Sequence, residues 1–407
     1  MKKLLIITLL LTGGLLASAQ APHIFEHDYP VITEENPQIR TLMDLVSADS
    51  IEANIAHLSS YWNRRCDSRY IYDVQDWLAA RYNSLEGIDT VVLHDFKISK
   101  PGFPEETGDN VLAIQWGTTK PEEYVICGAH YDSWNTETGH PDSIRAPGAD
   151  DNATGVAGIW ETARLLSHYK FDRTIIYGNW CAEEIGLLGS EAYAKECAEK
   201  QMDIVGYFNM DMNGYLQEGH DMRMHVVYVN QDSLLAKMFF DVCHTYFPEL
   251  PVRQNWMQGD SDFSSFNRSG YPALHPFEDV YASSPFIHTQ QDVLGVSVNN
   301  LEQSRLFAQV NLGAVAHLAG LNNTSLTEIA LPYVTLYPNP VQNEVNILTD
   351  GKLLRVTIFN LLGQAVETKD VHGENKCTLN TNSYVSGIYL VRIVTGHGVT
   401  TRRLVVK

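Results

Sequence analysis

Two imidazoles, three carboxylates and a spare glutamate stand at the ends of apolar, strand-like runs in this chain. They are His130, Asp151, Glu184, Asp211 and His288, with Glu183 directly before Glu184. These residue types suit a pair of divalent ions, and the additional glutamate suits the water that such ions activate. Together they could perform hydrolysis with a metal-activated nucleophile and a carboxylate general base.

Each position also has a plainer reading. His130 lies in Gly128-Ala129-His130-Tyr131-Asp132-Ser133, where extended backbone puts residues i and i+2 on one face. Asp132 can therefore orient the His130 imidazole, although a strand-end histidine can simply hydrogen-bond. Asp150 and Asp151 stand just before a helix expected from near Ala153, where aspartates cap free amides. A carboxylate has two oxygens, so Asp151 can equally bridge two ions, with Asp150 as the fallback. Glu183 and Glu184 follow an apolar strand among Trp180, Ile185, Leu187 and Leu188, which fits a solvated acidic turn poorly. Neighbouring side chains at a strand end diverge, so one glutamate can hold metal while the other faces water. Asp211 sits in the apolar run Tyr207–Met212, where an unpaired charge is costly and either a metal or a salt bridge accounts for it. His288 closes the set, with His275 as its competitor.

These residues need a scaffold that brings distant strand ends together. Strand patterns at 110–115, 124–128, 174–181, 204–212 and 224–229 alternate with helical ones at 153–168, 189–199 and 233–246. A helical period also runs from Ser50 to Glu86, and a last helix is expected over 301–318. The alternation implies a three-layer α/β/α sandwich with a mixed, largely parallel central sheet. Such sheets bind ligands beyond the carboxyl ends of their strands, where each candidate falls. After a polar hinge the texture becomes short alternating runs, implying a small C-terminal all-β immunoglobulin-like sandwich.

Met1-Lys2-Lys3, an apolar stretch to Leu16 and Ala17-Ser18-Ala19 form a signal-peptide pattern. The expected organisation is a signal peptide over 1–19, a pro-segment over 20–37 and a catalytic domain over 38–322. A linker at 323–333 leads to the terminal domain at 334–407. No transmembrane span is expected. A net charge of −20 with no basic stripe excludes nucleic acid as a partner. The six cysteines are too few for a disulfide scaffold at 407 residues, though Cys197 and Cys243 could pair in an oxidising compartment.

GAHYDS, APGADDNATGVA, AEEIGLLGS, NMDMNGY and PFIHTQQD resemble the zinc aminopeptidases of the bacterial leucyl aminopeptidase type, over about Asn54 to Leu318. That superfamily also contains carboxypeptidases and glutaminyl cyclases. The resemblance implies two Zn2+ per chain, with Asp151 bridging. Glu184 and His288 would complete one ion's set, His130 and Asp211 the other's, and Glu183 would be the general base. Trp256-Met257-Gln258-Gly259-Asp260 stands where such relatives carry a short cysteine loop. Leu336-Tyr337-Pro338-Asn339-Pro340, Phe359-Asn360 with Gly363-Gln364, and Ser386-Gly387-Ile388-Tyr389-Leu390 resemble the C-terminal sorting domain of type IX secretion cargo. This implies a secreted protein, carried to the periplasm and then across the outer membrane by the secretion machinery, to the cell surface or the medium.

The expected substrate is a peptide with a free N-terminus. Met212, Phe277, Phe286 and Ile287 flank ligand positions and are candidates for an apolar pocket, although each could equally be core. The alternatives on the same scaffold are a single-zinc glutaminyl cyclase and a zinc carboxypeptidase or dipeptidase. A ligand-stripped shell used only for binding is excluded by the complete set of candidate ligands.

Overall fold

The computed structural model describes residues 22–256, 261–321, 334–349, 352–360, 365–371, 373–395 and 398–407. The signal-peptide and linker expectations, and residues 257–260 of the cysteine-loop replacement, lie outside them.

The first helices start where their sequences supply caps. Asn36 accepts from the Gln38 and Ile39 amides to open α1 (Pro37–Asp44), and Ser47 accepts from Ser50 to open α2 (Ala48–Ser60). The helical period expected across 50–86 is two helices, since α3 (Ile71–Asn83) is separate. Between them the chain turns around Arg64, whose side chain is fully buried.

A hairpin of β1 (Thr90–Ile98) and β2 (Glu106–Gln115) leads to β3 (Lys120–His130). Then come α4 (Gly155–Leu166), β4 (Arg173–Trp180), α5 (Leu188–Glu199) and β5 (Asp203–Asn209). They are followed by β6 (Met224–Tyr228), α6 (Ser233–Tyr246), β7 (Val252–Trp256), α7 (Phe263–Arg268), β8 (Ala273–Phe277) and α8 (Leu301–Ala319). The eight strands form one sheet in the order β1-β2-β4-β3-β5-β8-β6-β7. Its middle, β4-β3-β5-β8, is parallel, as is β6-β7, whereas β1-β2, β2-β4 and β8-β6 are antiparallel.

Period-two alternation divides the strand side chains between two cores. Val125, Cys127, Ile175, Tyr177 and Phe208 face a large core with α2, α4, α6 and α8. Ile126, Ile176, Ile204 and Tyr207 face a smaller one with α5 and α7. The expected mixed, largely parallel α/β sheet is therefore present. Strands β1, β7 and β8 carried no clear sequence signal: β1 and β7 are exposed edge strands and β8 is only five residues long. The strand expected to reach Met212 stops at Asn209, because the chain bends into positive φ at Met212.

Residues 22–36 lie along the sheet end opposite the candidate ligands. Tyr29 donates to the Val205 carbonyl at 3.0 Å, and His23 and His27 meet Asp232 and Asp203 at 2.6 and 3.0 Å.

The C-terminal region forms an antiparallel three-stranded sheet of β9 (Val334–Tyr337), β10 (Glu344–Thr349) and β13 (Lys376–Asn380). The other sheet pairs β12 (Ala365–Asp370), β11 (Leu353–Phe359), β14 (Gly387–Thr395) and β15 (Gly398–Val406). Val345, Ile347, Val356, Ile358, Val391, Ile393 and Leu404 share one core between them. The six cysteines are buried free thiols, so Cys197 and Cys243 do not pair. No helix among the described residues is long and apolar enough to cross a membrane.

Candidate metal centre

The parallel middle of the sheet ends in a row. His130 is the last residue of β3 and pairs in register with Trp180, the last of β4. Glu183 and Glu184 follow β4, and Asp211 follows β5. Asp151 comes from an irregular turn at Ala149–Thr154, so α4 begins at Gly155 rather than near Ala153. Gly148 opens this turn at φ +55, and a Cβ there would lie 2.5 Å from the Asp151 carbonyl oxygen. Asn152 ties the turn down: its Nδ2 donates to the Met210 carbonyl at 2.9 Å and its Oδ1 accepts from Gly155 N at 2.8 Å.

The five candidate ligands come together as two clusters that share one residue. His130, Asp151 and Asp211 form the first; Asp151, Glu184 and His288 form the second. His130 Nε2 lies 3.2 Å from Asp151 Oδ1 and 3.4 Å from Asp211 Oδ1. His288 Nε2 lies 3.0 Å from Asp151 Oδ2 and 2.9 Å from Glu184 Oε2. The two oxygens of Asp151 thus face different clusters. Glu183 belongs to neither, but its Oε2 is 3.9 Å from His130 Nε2.

Supporting groups hold these side chains in place. His130 Nδ1 is 3.3 Å from the Asp132 carbonyl, which can accept its proton and so leaves Nε2 as the nitrogen that a metal would meet. The Asp132 carboxylate, 3.5 Å from the same nitrogen, instead accepts the Glu183 and Glu184 amides at 3.1 and 3.3 Å. It therefore orients the glutamate turn as well as the imidazole. Asp150, the fallback ligand, turns away and accepts from Gly214 N at 2.9 Å. His275 is in neither cluster; its Nε2 meets the Asp211 carbonyl at 3.0 Å.

Several supporting residues were missed in the sequence. Asp292 accepts the Asp150 and Asp151 amides at 2.8 and 3.2 Å. Ser261 donates to Asp211 Oδ2 at 2.7 Å. Arg64 donates to the carbonyls of Tyr131 and Gly148, each at 2.9 Å, and of Pro147. Asp262 lies buried beside His130 and Asp211, and burial pushes its carboxyl up to about 7. Asp292 had a signal, four positions after His288 in the same motif. The others had none, because nothing local marks a residue that serves a distant segment.

Charge balance favours bound cations. Burial raises Glu184 to about 8, and the Asp151 carboxylate adds to the rise. Burial also drives Glu183 well up. It opposes charge on both imidazoles, yet the surrounding carboxylates hold His130 well above its ordinary value and His288 at about 11. Burial acts against ionisation of Asp151 too, but bonds from the two imidazoles keep it below the usual carboxylate range. His130 Nε2, Asp211 Oδ1 and Glu184 Oε1 are buried with no hydrogen-bond partner. A donor set with orphaned atoms at its centre and excess negative charge fits divalent ions.

Backbone strain gathers here. Ala182, Leu187, Met212 and His288 all have φ between 53° and 62° without being glycine. A cleft of about 550 Å3 opens over both clusters, lined in part by Met212, Phe263, Phe277 and Ile287. Phe286, the fourth expected pocket residue, is not part of that lining; its ring packs edge-on to Tyr215 with centroids 6.1 Å apart.

Residues 110–308 match peptidase family M28, and residues 335–407 match the secretion system C-terminal sorting domain. A probable leucine aminopeptidase of Arthroderma benhamiae is 29% identical over 278 residues, 65% of this chain and 72% of that protein. A probable zinc metalloprotease of Pyrenophora teres f. teres is 32% identical over 207 residues, 46% of this chain and 42% of that protein. The LapA aminopeptidase of Legionella pneumophila shares the fold, with a TM-score of 0.60 at 23% identity over 73% of this chain and 78% of that one. Both clusters, and the cleft lining apart from Lys100, fall within the matched stretch, so residues 110–308 form a peptidase family M28 domain, in a metallopeptidase that also carries a secretion sorting domain.

Proposed function

We propose that this chain is a secreted zinc aminopeptidase that removes N-terminal residues from peptides. In this reading two zinc ions are held per chain, one by His130, Asp151 and Asp211 and the other by Asp151, Glu184 and His288. The observation that carries it is the split of Asp151: Oδ1 toward one imidazole and Oδ2 toward the other, the disposition of a bridging carboxylate.

Zinc held by these residues would supply Lewis acidity for a peptide carbonyl and for lowering the pKa of a water toward about 7. Glu183 takes the proton of the attacking water on an Oε atom and passes it to the departing amine. Asp132 positions Glu183 by accepting its amide, and fixes the His130 tautomer through its carbonyl. Met212, Phe277 and Ile287 receive the apolar side chain of the substrate's first residue.

Chromogenic aminoacyl amides, free and N-blocked, with and without chelator, test this reading. Chelator-sensitive hydrolysis of the free substrates alone is expected. Cleavage of the blocked series would reassign the enzyme to an endopeptidase. One zinc per chain with pyroglutamate formed from Gln-peptides would make it a glutaminyl cyclase. The sorting domain supports secretion. The finer proposal is a signal peptide at 1–19, a catalytic unit over 38–322, and removal of 334–407 after passage through the outer membrane. Deletion of 334–407 should leave activity in the periplasm.

A further inference from the structure

The cleft is acidic over the two clusters and apolar beside them, yet one of its walls carries a cation. Among the described residues lining it, Lys100 is the sole lysine or arginine. Lys100 belongs to the β1–β2 loop, and that loop is anchored. Phe103 N closes a turn onto the Lys100 carbonyl at 3.1 Å. The Phe103 ring packs against Trp134 with centroids 6.2 Å apart, and the Arg65 guanidinium covers both rings at 5.4 and 5.3 Å. Arg65 is itself held by Asp67.

From this base the Lys100 ammonium donates to the Ile185 carbonyl, one residue beyond Glu184. Gly186 adjoins it at φ +119, where a Cβ would lie 3.1 Å from Nζ. An ammonium has three donors, so two remain after the Ile185 bond.

On the aminopeptidase reading, the substrate's free α-amine lies at the ligand clusters and its first side chain enters the apolar wall. The departing part of the peptide then leaves past Glu183 and Gly186, under Lys100. We propose that Lys100 is a specificity-determining residue that selects substrates bearing a carboxylate just beyond the scissile bond. That carboxylate is either the C-terminus of a dipeptide or the side chain of an acidic second residue.

The test compares kcat/KM within two substrate pairs, for the wild type, Lys100→Met and Lys100→Arg. Leu-Gly against Leu-Gly amide isolates the chain terminus, and Leu-Glu amide against Leu-Gln amide isolates the side chain. Ratios taken within one variant cancel any general loss of activity. The wild type should favour the carboxylate member of at least one pair by about fivefold, the scale of a partly exposed charge pair. Lys100→Met should bring that ratio to about one, and Lys100→Arg should keep most of it. Charge-blind ratios in the wild type, or a preference that survives Lys100→Met, would overturn the assignment. If the wild type cleaved none of the four substrates, the aminopeptidase reading beneath it would fall instead.

Discussion

The two ligand clusters share Asp151 but are built differently. His130 ends a regular strand between β4 and β5, and its imidazole is 1% exposed. His288 sits on a loop at positive φ, and its side chain is 35% exposed. Its backbone is held to another loop, through Thr136 N at 3.0 Å. The inner cluster is thus positioned by sheet geometry and more deeply buried, whereas the outer one is positioned by loops and more open to the cleft. On the two-zinc reading, rigid strands would set where one ion lies, and strained loops would leave the other within reach of substrate.

Breaking the shared residue should have the largest effect. Asp151→Ala removes a ligand from both clusters, so zinc should fall below one per chain and hydrolysis should fall further than in any other single variant, as metal analysis and kinetics would record. Glu183→Gln should lower kcat by about 10^2–10^4-fold with both ions retained. Near-normal turnover there would place the base elsewhere.

Asp292→Asn sharpens the contrast, because Asp292 bonds the Asp150 and Asp151 amides and so supports the bridge. It should weaken zinc binding by roughly 10–100-fold at both clusters, read by competition with a chromogenic chelator. His288→Ala should weaken the outer cluster alone. If both variants acted equally on the two ions, the proposed division between inner and outer clusters would be wrong.

The contrast between the clusters also extends to pH dependence. Without metal, His288 keeps its proton up to about 11 and Glu184 up to about 8. A cation must displace those protons, so affinity at the outer cluster should decline as pH drops below about 11, through His288, and more steeply below about 8, where Glu184 also holds a proton. The slope should be about tenfold per pH unit for each proton released. Calorimetry in buffers of different ionisation enthalpy reports the released protons, and pH-independent affinity between 6 and 8 would contradict the prediction.

Much of the site was legible because its chemistry is carried by residue type at strand ends. Glu183 and Glu184 stood out as charges in an apolar setting, and Asp211 as a charge closing an apolar run. Helix α6 was also readable to the residue, since its apolar period is unbroken. Edge strands β1 and β7 were not, because their outward side chains lack the alternation of a half-buried strand. Phe286 illustrates the limit for pocket residues: adjacency to a ligand in sequence says nothing about which way a ring turns.

The sequence alone determined which groups are available, and it marked the strand ends that could present them, since residue type and period are local properties. It also set apart the terminal β-region through a change of period. Only the tertiary structure decided that Asp151, rather than Asp150, faces both imidazoles, and that Asp292, Asp262, Arg64 and Lys100 attend the cleft. The reason is the strand order: placing β3 between β4 and β5 brings segments far apart in the chain to one edge. Their meeting depends on the crossovers between strands, which no local pattern encodes.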